Sequence, residues 1–135
     1  MNQHTQTENI LDHIVALIEE IYNDNCQIKD GFNLGDYIQS RLSVSPEEVA
    51  PWFVDRYEKT IQQYAMEVRV NKVKELLVYT DLSLNEIACK LGYTSMEMMS
   101  EELIQLTGLP ISFFQNIKLQ KAATASNQRT RNTQL

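Results

Sequence analysis

The sequence predicts an all-α fold, and three observations predict it. Glycine and proline are scarce, 4 and 3 in 135 residues. Apolar residues recur at helical spacing in one stretch after another, and each stretch is bracketed by residues that start or stop helices. The length suits one compact domain, and a composition 43% hydrophobic and 22% charged supports a core without disulfides or metal. Cys26 and Cys89 lie far apart with no CxxC or Cys/His spacing, so neither a disulfide framework nor a zinc site is expected, and a reducing cytoplasm fits. The amino terminus lacks the basic-then-apolar pattern of a signal peptide, and no apolar run is long enough to span a bilayer, so no membrane association is expected.

The formal net charge is −6, unevenly spread. Met1–Phe32 carries −5, Asn33–Tyr64 carries −2, Ala65–Lys121 carries −1, and Ala122–Leu135 carries +2. A surface that meets nucleic acid therefore belongs in the second half or the tail.

Residues 1–8 and 122–135 lack periodicity and are expected to be flexible, leaving 9–121 as the helical domain. Ile10, Ile14, Leu17, Ile18 and Ile21 form the apolar stripe of a first helix ending near Asn23. A turn-rich stretch from Asn23 to Gly31 leads to a shorter helix with Phe32, Leu34, Tyr37, Ile38 and Leu42 on its apolar side. Ser45-Pro46-Glu47-Glu48 opens a third helix with an N-cap serine and proline at the first position, and Val49, Trp52, Phe53 and Tyr57 supply its stripe. Pro51 at its sixth position either kinks this helix or makes it begin again.

Thr60-Ile61-Gln62-Gln63 is a capping box opening a long helix over 61–79, with Ile61, Tyr64, Ala65, Val68, Val73, Leu76 and Leu77 inward. A second capping box, Ser83-Leu84-Asn85-Glu86, precedes Ile87, Ala88 and Leu91, and Gly92 is the expected left-handed stop. Ser95 caps a further helix with Met96, Met99, Leu103 and Leu106 inward and Met98 exposed. Gly108 ends that helix, and Pro110 begins the last one, 110–120, whose Phe113, Phe114 and Ile117 cover the core.

Leu84-x-x-Ile87-Ala88-x-x-x-Gly92-Tyr93 followed by a capped helix is a helix-turn-helix pattern, with a small residue where two helices cross and a glycine at the turn. Its second helix is the one presented to a major groove. Asn33–Tyr57 repeats the plan more weakly. The chain therefore reads as tandem helix-turn-helix units, over 33–58 and 83–107, on a long connecting helix.

The run Lys72-Val73-Lys74-Glu75-Leu76-Leu77, then Leu82 through Ser95, Leu103, Thr107-Gly108-Leu109-Pro110 and Phe114, resembles the AraC family of bacterial transcription regulators. The likeness runs without gaps from Ser45 to about Lys121 and more loosely back to Leu34. Around Val73–Tyr79 it is most similar to short AraC-type proteins of the Bacteroidetes. The resemblance implies a seven-helix DNA-binding domain whose two recognition helices enter adjacent major grooves of double-stranded DNA.

Carried over position by position, the resemblance puts Thr94, Ser95, Glu97, Met98, Ser100, Glu101 and Gln105 at the groove in the second unit, and Glu47, Ala50 and Pro51 in the first. Arginine or lysine is common at several of these places and occurs at none of them here. Thr94–Gln105 and Pro46–Glu58 each carry −3, so both reading surfaces forgo much of the affinity that phosphate neutralisation supplies. Glutamate can accept from cytosine N4, beside cationic anchors. Lys72, Lys74, Lys90, Lys118 and Lys121 are the candidate phosphate contacts, and weak, salt-sensitive binding led by the second unit is expected.

Other features have plainer readings. Trp52 and Phe53 are expected to anchor the core, and Cys89, beside Ala88, to be a small buried hydrophobe. His4 and His13 have no second ligand at helical spacing, so no metal or cofactor is expected, and no phosphate loop, nucleophile elbow or His-centred acid/base set suggests an enzyme. Two functions remain. One is a stand-alone AraC-type DNA-binding regulator whose acidic first helix stands in place of a sensor or dimerisation domain. The other is a scaffold that has lost groove reading and binds a protein through Glu97, Met98, Glu101 and Glu102.

Overall fold

The computed structural model describes residues 2–23 and 32–133, with side chains over 8–23 and 32–123. Among the described residues seven helices follow one another: α1 (Asn2–Asn23), α2 (Leu34–Leu42), α3 (Pro46–Tyr57), α4 (Ile61–Tyr79), α5 (Leu84–Lys90), α6 (Met96–Thr107) and α7 (Ile111–Thr133). Among the described residues there is no strand, so the fold is all-α as the sequence predicts. The turn-rich stretch over 24–31, with Cys26, lies outside the described residues, as do the side chains of the two stretches expected to be flexible, apart from Glu8, Ala122 and Ala123. The backbone of α7 continues through most of the second of those stretches.

The starts of α4 and α5 follow the local chemistry read from the sequence. The Thr60 hydroxyl accepts from Gln63 N at 3.0 Å while Gln63 Oε1 accepts from Thr60 N at 2.8 Å, a reciprocal capping box at the start of α4. Asn33 Oδ1 caps α2 by accepting from Asp36 N at 3.0 Å. α3 runs as one helix through Pro51, so the proline neither ends it nor restarts it.

The chain forms two compact units, one from residues up to Arg69 with Lys90–Gly92, the other from Val70–Cys89 and 93 onward. In the first, α1, α2 and α3 pack on one another around Ile14, Ile18, Ile38, Val49 and Phe53, all at or near complete burial. Phe53 packs against Tyr57 in a tilted pair at 4.7 Å and meets Tyr64 edge-on at 5.9 Å. Two tyrosines tie this cluster to α1: Tyr57 donates to Asp12 at 3.2 Å and Tyr64 donates to Glu19 at 2.9 Å. Burial, reinforced by Glu19, pushes the Tyr64 hydroxyl up to about 12.

In the second unit Val70, Val73, Leu76 and Leu77 of α4, Ile87 and Ala88 of α5, Met99 and Leu103 of α6 and Phe114 of α7 are buried, and α6 packs on α7. α4 contributes to both units through different stripes. Ile61 and Ala65 lie one turn apart on one line of the helix, whereas Val70, Val73 and Leu77 follow another, because the five-residue step from Ala65 to Val70 turns the helix by about 140° beyond a full turn. The burial of Val70 adds a core position that the sequence reading does not include.

Several expected core positions face solvent. Trp52 is 48% exposed while its neighbour Phe53 is fully buried, because a 100° step carries one side chain to the core and the next past its edge. Cys89 is exposed for the same reason beside buried Ala88. Met96 and Leu106, three residues before Met99 and after Leu103, share their stripe but sit in the end turns of α6, where fewer neighbours cover them. Phe113 is exposed and Ile117 half-buried, which leaves Phe114 as the aromatic that closes the core.

Candidate nucleic-acid interface

The second helix-turn-helix is built by three local devices. Ser83 Oγ accepts from Glu86 N at 3.1 Å and Glu86 Oε1 accepts from Ser83 N at 3.4 Å, which closes the start of α5. Gly92 then takes φ 81° and lets Tyr93 N donate to Ala88 O at 2.9 Å, a six-to-one bond that stops α5 and turns the chain. Ser95, in extended geometry, caps α6 by accepting from Met98 N at 3.1 Å. At the far end Gly108 takes φ 74° and its amide donates to Ile104 O at 2.8 Å.

With Met99 and Leu103 buried, α6 turns its opposite side outward. Thr94, Ser95, Glu97, Met98, Glu101 and Gln105 are exposed and Ser100 is half-buried. Glu97, Glu101 and Gln105, one turn apart, make one line along this face, with Met98, 51% exposed, beside it. Glu102, counted among the acids of this helix from sequence, is 7% exposed and withdrawn from the surface. Its spacing from buried Met99 was the available signal: three residues apart, they share a stripe.

The candidate phosphate contacts divide into two groups. Lys118 donates to Thr80 O at 2.5 Å and Asp81 Oδ1 at 2.6 Å, so α7 grips the connection between α4 and α5. The bond from Lys118 and its charge hold the Asp81 carboxyl below the ordinary carboxylate value. Lys121 donates to Tyr79 OH at 2.7 Å and lies over the Tyr79 ring at 4.2 Å, and Lys72 pairs with Glu75 at 3.4 Å. Lys74 and Lys90 are half-buried and make no ion pair among the described residues.

The first helix-turn-helix has the same outline with different chemistry. Its turn residue is Ser43 in the left-handed region, φ 57°, whose amide donates to Gln39 O at 2.9 Å. Ser45 does not cap the α3 backbone; its hydroxyl donates to the Glu47 carboxylate, which keeps that carboxyl below its ordinary value. Glu47 and Pro51 are exposed and Ala50 is half-buried. Arg56, the one base of α3, is held by Asp12 at 3.3 Å and Glu8 at 4.0 Å on α1 and lies over the Tyr57 ring at 5.4 Å.

Among the described residues no His, Cys, Asp and Glu cluster has metal-site geometry, and no helix is long and apolar enough to cross a membrane.

Solved structures share this architecture. A transcriptional regulator described as having an AraC-type DNA-binding domain, from Chromobacterium violaceum, superposes with a TM-score of 0.69 at 19% identity, over 84% of this chain and 96% of that one. The C-terminal domain of the two-component response regulator yesN from Fusobacterium nucleatum matches with a TM-score of 0.65 at 22% identity, over 79% and 98%. The DNA-binding domain of AdpA, a global transcriptional factor solved in complex with a target DNA, matches with a TM-score of 0.63 at 19% identity, over 78% and 89%. No curated protein matches the chain. The model of the helix-turn-helix domain family matches residues 38–124, from within α2 into α7 and more than half of the sequence. With the second bihelical unit inside that span and the first overlapping it, the chain belongs to the helix-turn-helix domain family, in its AraC-type form.

Proposed function

We propose that the protein is a DNA-binding transcriptional regulator of the AraC type that reads duplex DNA through its second helix-turn-helix, with weak and salt-sensitive affinity. The observation that carries this reading is the open face of α6, capped at its start and turned away from the core. A helix held this way and left uncovered is the arrangement that groove reading needs. The neighbour solved with its target DNA supports the reading at the level of the fold.

In this reading Glu97, Met98, Ser100, Glu101 and Gln105 face base edges, and Thr94 and Ser95 lie at the helix start where amides meet phosphate. Lys74 and Lys90 supply the phosphate contacts, with Lys72 available if Glu75 releases it, while Lys118 and Lys121 position the unit from within. Two phosphate cations and an acidic reading face account for weak binding. The test is retention on random duplex DNA at about 50 mM salt, where phosphate contacts are strongest. Retention that falls steeply with salt, and tightens when Glu101→Arg is combined with Glu97→Gln, is expected. Absence of retention at low salt overturns the reading.

A second reading has one observation in its favour. Met98, Glu97 and Glu101 on the open face of α6 also suit a protein partner, which is the function to adopt if duplex DNA is not retained.

A further inference from the structure

The first helix-turn-helix holds a cation that no carboxylate takes up. Its two bases are Arg41 on α2 and Arg56 on α3. The α1 acids hold Arg56, whereas Arg41 is exposed and makes no ion pair among the described residues. Its guanidinium is nevertheless held in place. Nη1 donates to Tyr37 OH at 3.0 Å, and the group lies over the Tyr37 ring at 5.6 Å. Phe32 packs against that ring in a tilted pair at 5.6 Å, so the aromatic that carries the guanidinium is itself braced. Tyr37 uses one N–H, which leaves the rest of a planar donor fork without a carboxylate on it.

The second unit carries a cation at the matching place. Ile38 and Ile87 are both fully buried. Three positions after each stand Arg41 and Lys90, and two positions further the chain turns through a left-handed residue, Ser43 at φ 57° and Gly92 at φ 81°. Lys90 likewise makes no ion pair among the described residues. Both units therefore put a cation free of carboxylates in the last turn of their first helix, beside the turn. In helix-turn-helix docking that helix crosses the sugar-phosphate backbone, where a guanidinium can meet phosphate oxygens bidentately without reading a base. A plainer role is to offset the carbonyl end of the α2 dipole. That role asks only for charge near the helix end and does not call for the Tyr37 and Phe32 setting.

We propose that Arg41 is the phosphate anchor of the first helix-turn-helix, with Tyr37 as its positioning residue and Phe32 bracing Tyr37. The first unit then grips duplex backbone through α2 while its acidic α3 reads no base. This assignment rests on the DNA reading proposed above and extends it to the first unit.

The test is the salt dependence with which the full chain binds labelled random-sequence duplexes, followed by fluorescence anisotropy from about 25 to about 200 mM salt. Arg41→Gln is expected to weaken binding about three- to tenfold at about 50 mM salt and to flatten the slope of log affinity against log salt by about 0.9, the loss of one phosphate contact. The loss is the same on AT-rich and GC-rich duplexes, because a phosphate carries no sequence. Arg41→Lys restores the slope. Tyr37→Leu keeps the slope and weakens binding about two- to tenfold, since the charge remains while its placement is lost. Far-ultraviolet circular dichroism and thermal melts confirm that the variants fold. A lowered melting temperature in Arg41→Gln with no change in slope assigns the residue to the helix dipole and overturns the proposal, as does a loss confined to one base composition. If Arg41→Gln leaves the slope unchanged while Lys90→Gln flattens it, the anchor falls and the DNA reading stands. If the unaltered chain shows no salt-sensitive binding, the DNA reading falls and this assignment falls with it.

Discussion

The two helix-turn-helix units follow one grammar and present opposite balances of packing and display. In the second, a reciprocal capping box, a glycine turn and a serine cap hold α6 so that its outer face is left for something else. In the first, Ser43 takes the strained turn, the Ser45 hydroxyl goes to a side chain, and the cation of α3 is held by α1. The comparison teaches that the bihelical geometry and the reading chemistry are separable. Turn and caps need only small and hydroxyl residues at set positions, while phosphate contact needs free cations on the exposed side, and α3 has none.

The turns offer the largest way to break this contrast. Gly92 takes φ 81°, so Gly92→Ala costs about 1–2 kcal/mol through its backbone alone. Ser43→Gly relieves the matching position of the first unit and is expected to stabilise by up to about 1 kcal/mol. Urea midpoints of the two variants move in opposite directions if the turns are equivalent in geometry, and in the same direction if they are not.

The caps sharpen it next. Ser95→Ala removes a bond to the α6 backbone and is expected to cost about 1 kcal/mol, whereas Ser45→Ala removes a bond to an exposed carboxylate and should cost only about a few tenths. Equal losses in thermal melts would show that the two serines do the same job.

The smallest effect is a pH dependence with opposite signs in the two units. The Tyr64 hydroxyl is raised to about 12, so its contribution to the first unit is complete below pH 10 and fades as the pH rises from 10 towards 12. The Asp81 carboxyl is lowered, so the Lys118 clasp of the second unit contributes above the ordinary carboxylate value and fades as the pH falls through the lowered one. Tyr64→Phe should flatten the alkaline arm, and Asp81→Asn the acid arm, of stability measured against pH.

Much of this architecture is legible in the residues. Ser83 with Glu86, Thr60 with Gln63, Gly92 and Gly108 act over three to six positions, so their neighbours in sequence are their neighbours in space. The exposed placement of Glu97, Met98 and Glu101 follows in the same way from the burial of Met99 and Leu103 on the opposite stripe. Burial at the margins of a stripe is not legible, because periodicity gives direction around a helix and not the reach of the neighbour that covers it. Trp52, Cys89, Met96, Leu106 and Phe113 are instances.

The partners of the cations belong to this second kind. Lys118 looks like a free surface base until α7 brings it to Thr80 and Asp81, and Arg56, the one base of α3, is taken up once α1 brings Asp12 and Glu8 to it. What the sequence alone determined, then, is the all-helical tandem plan, with its caps and turns, since those bonds close within a helical turn of the residues that make them. Which side chains remain available to a ligand was decided by tertiary structure, because an ion pair forms between groups dozens of positions apart and exists only once their helices have packed.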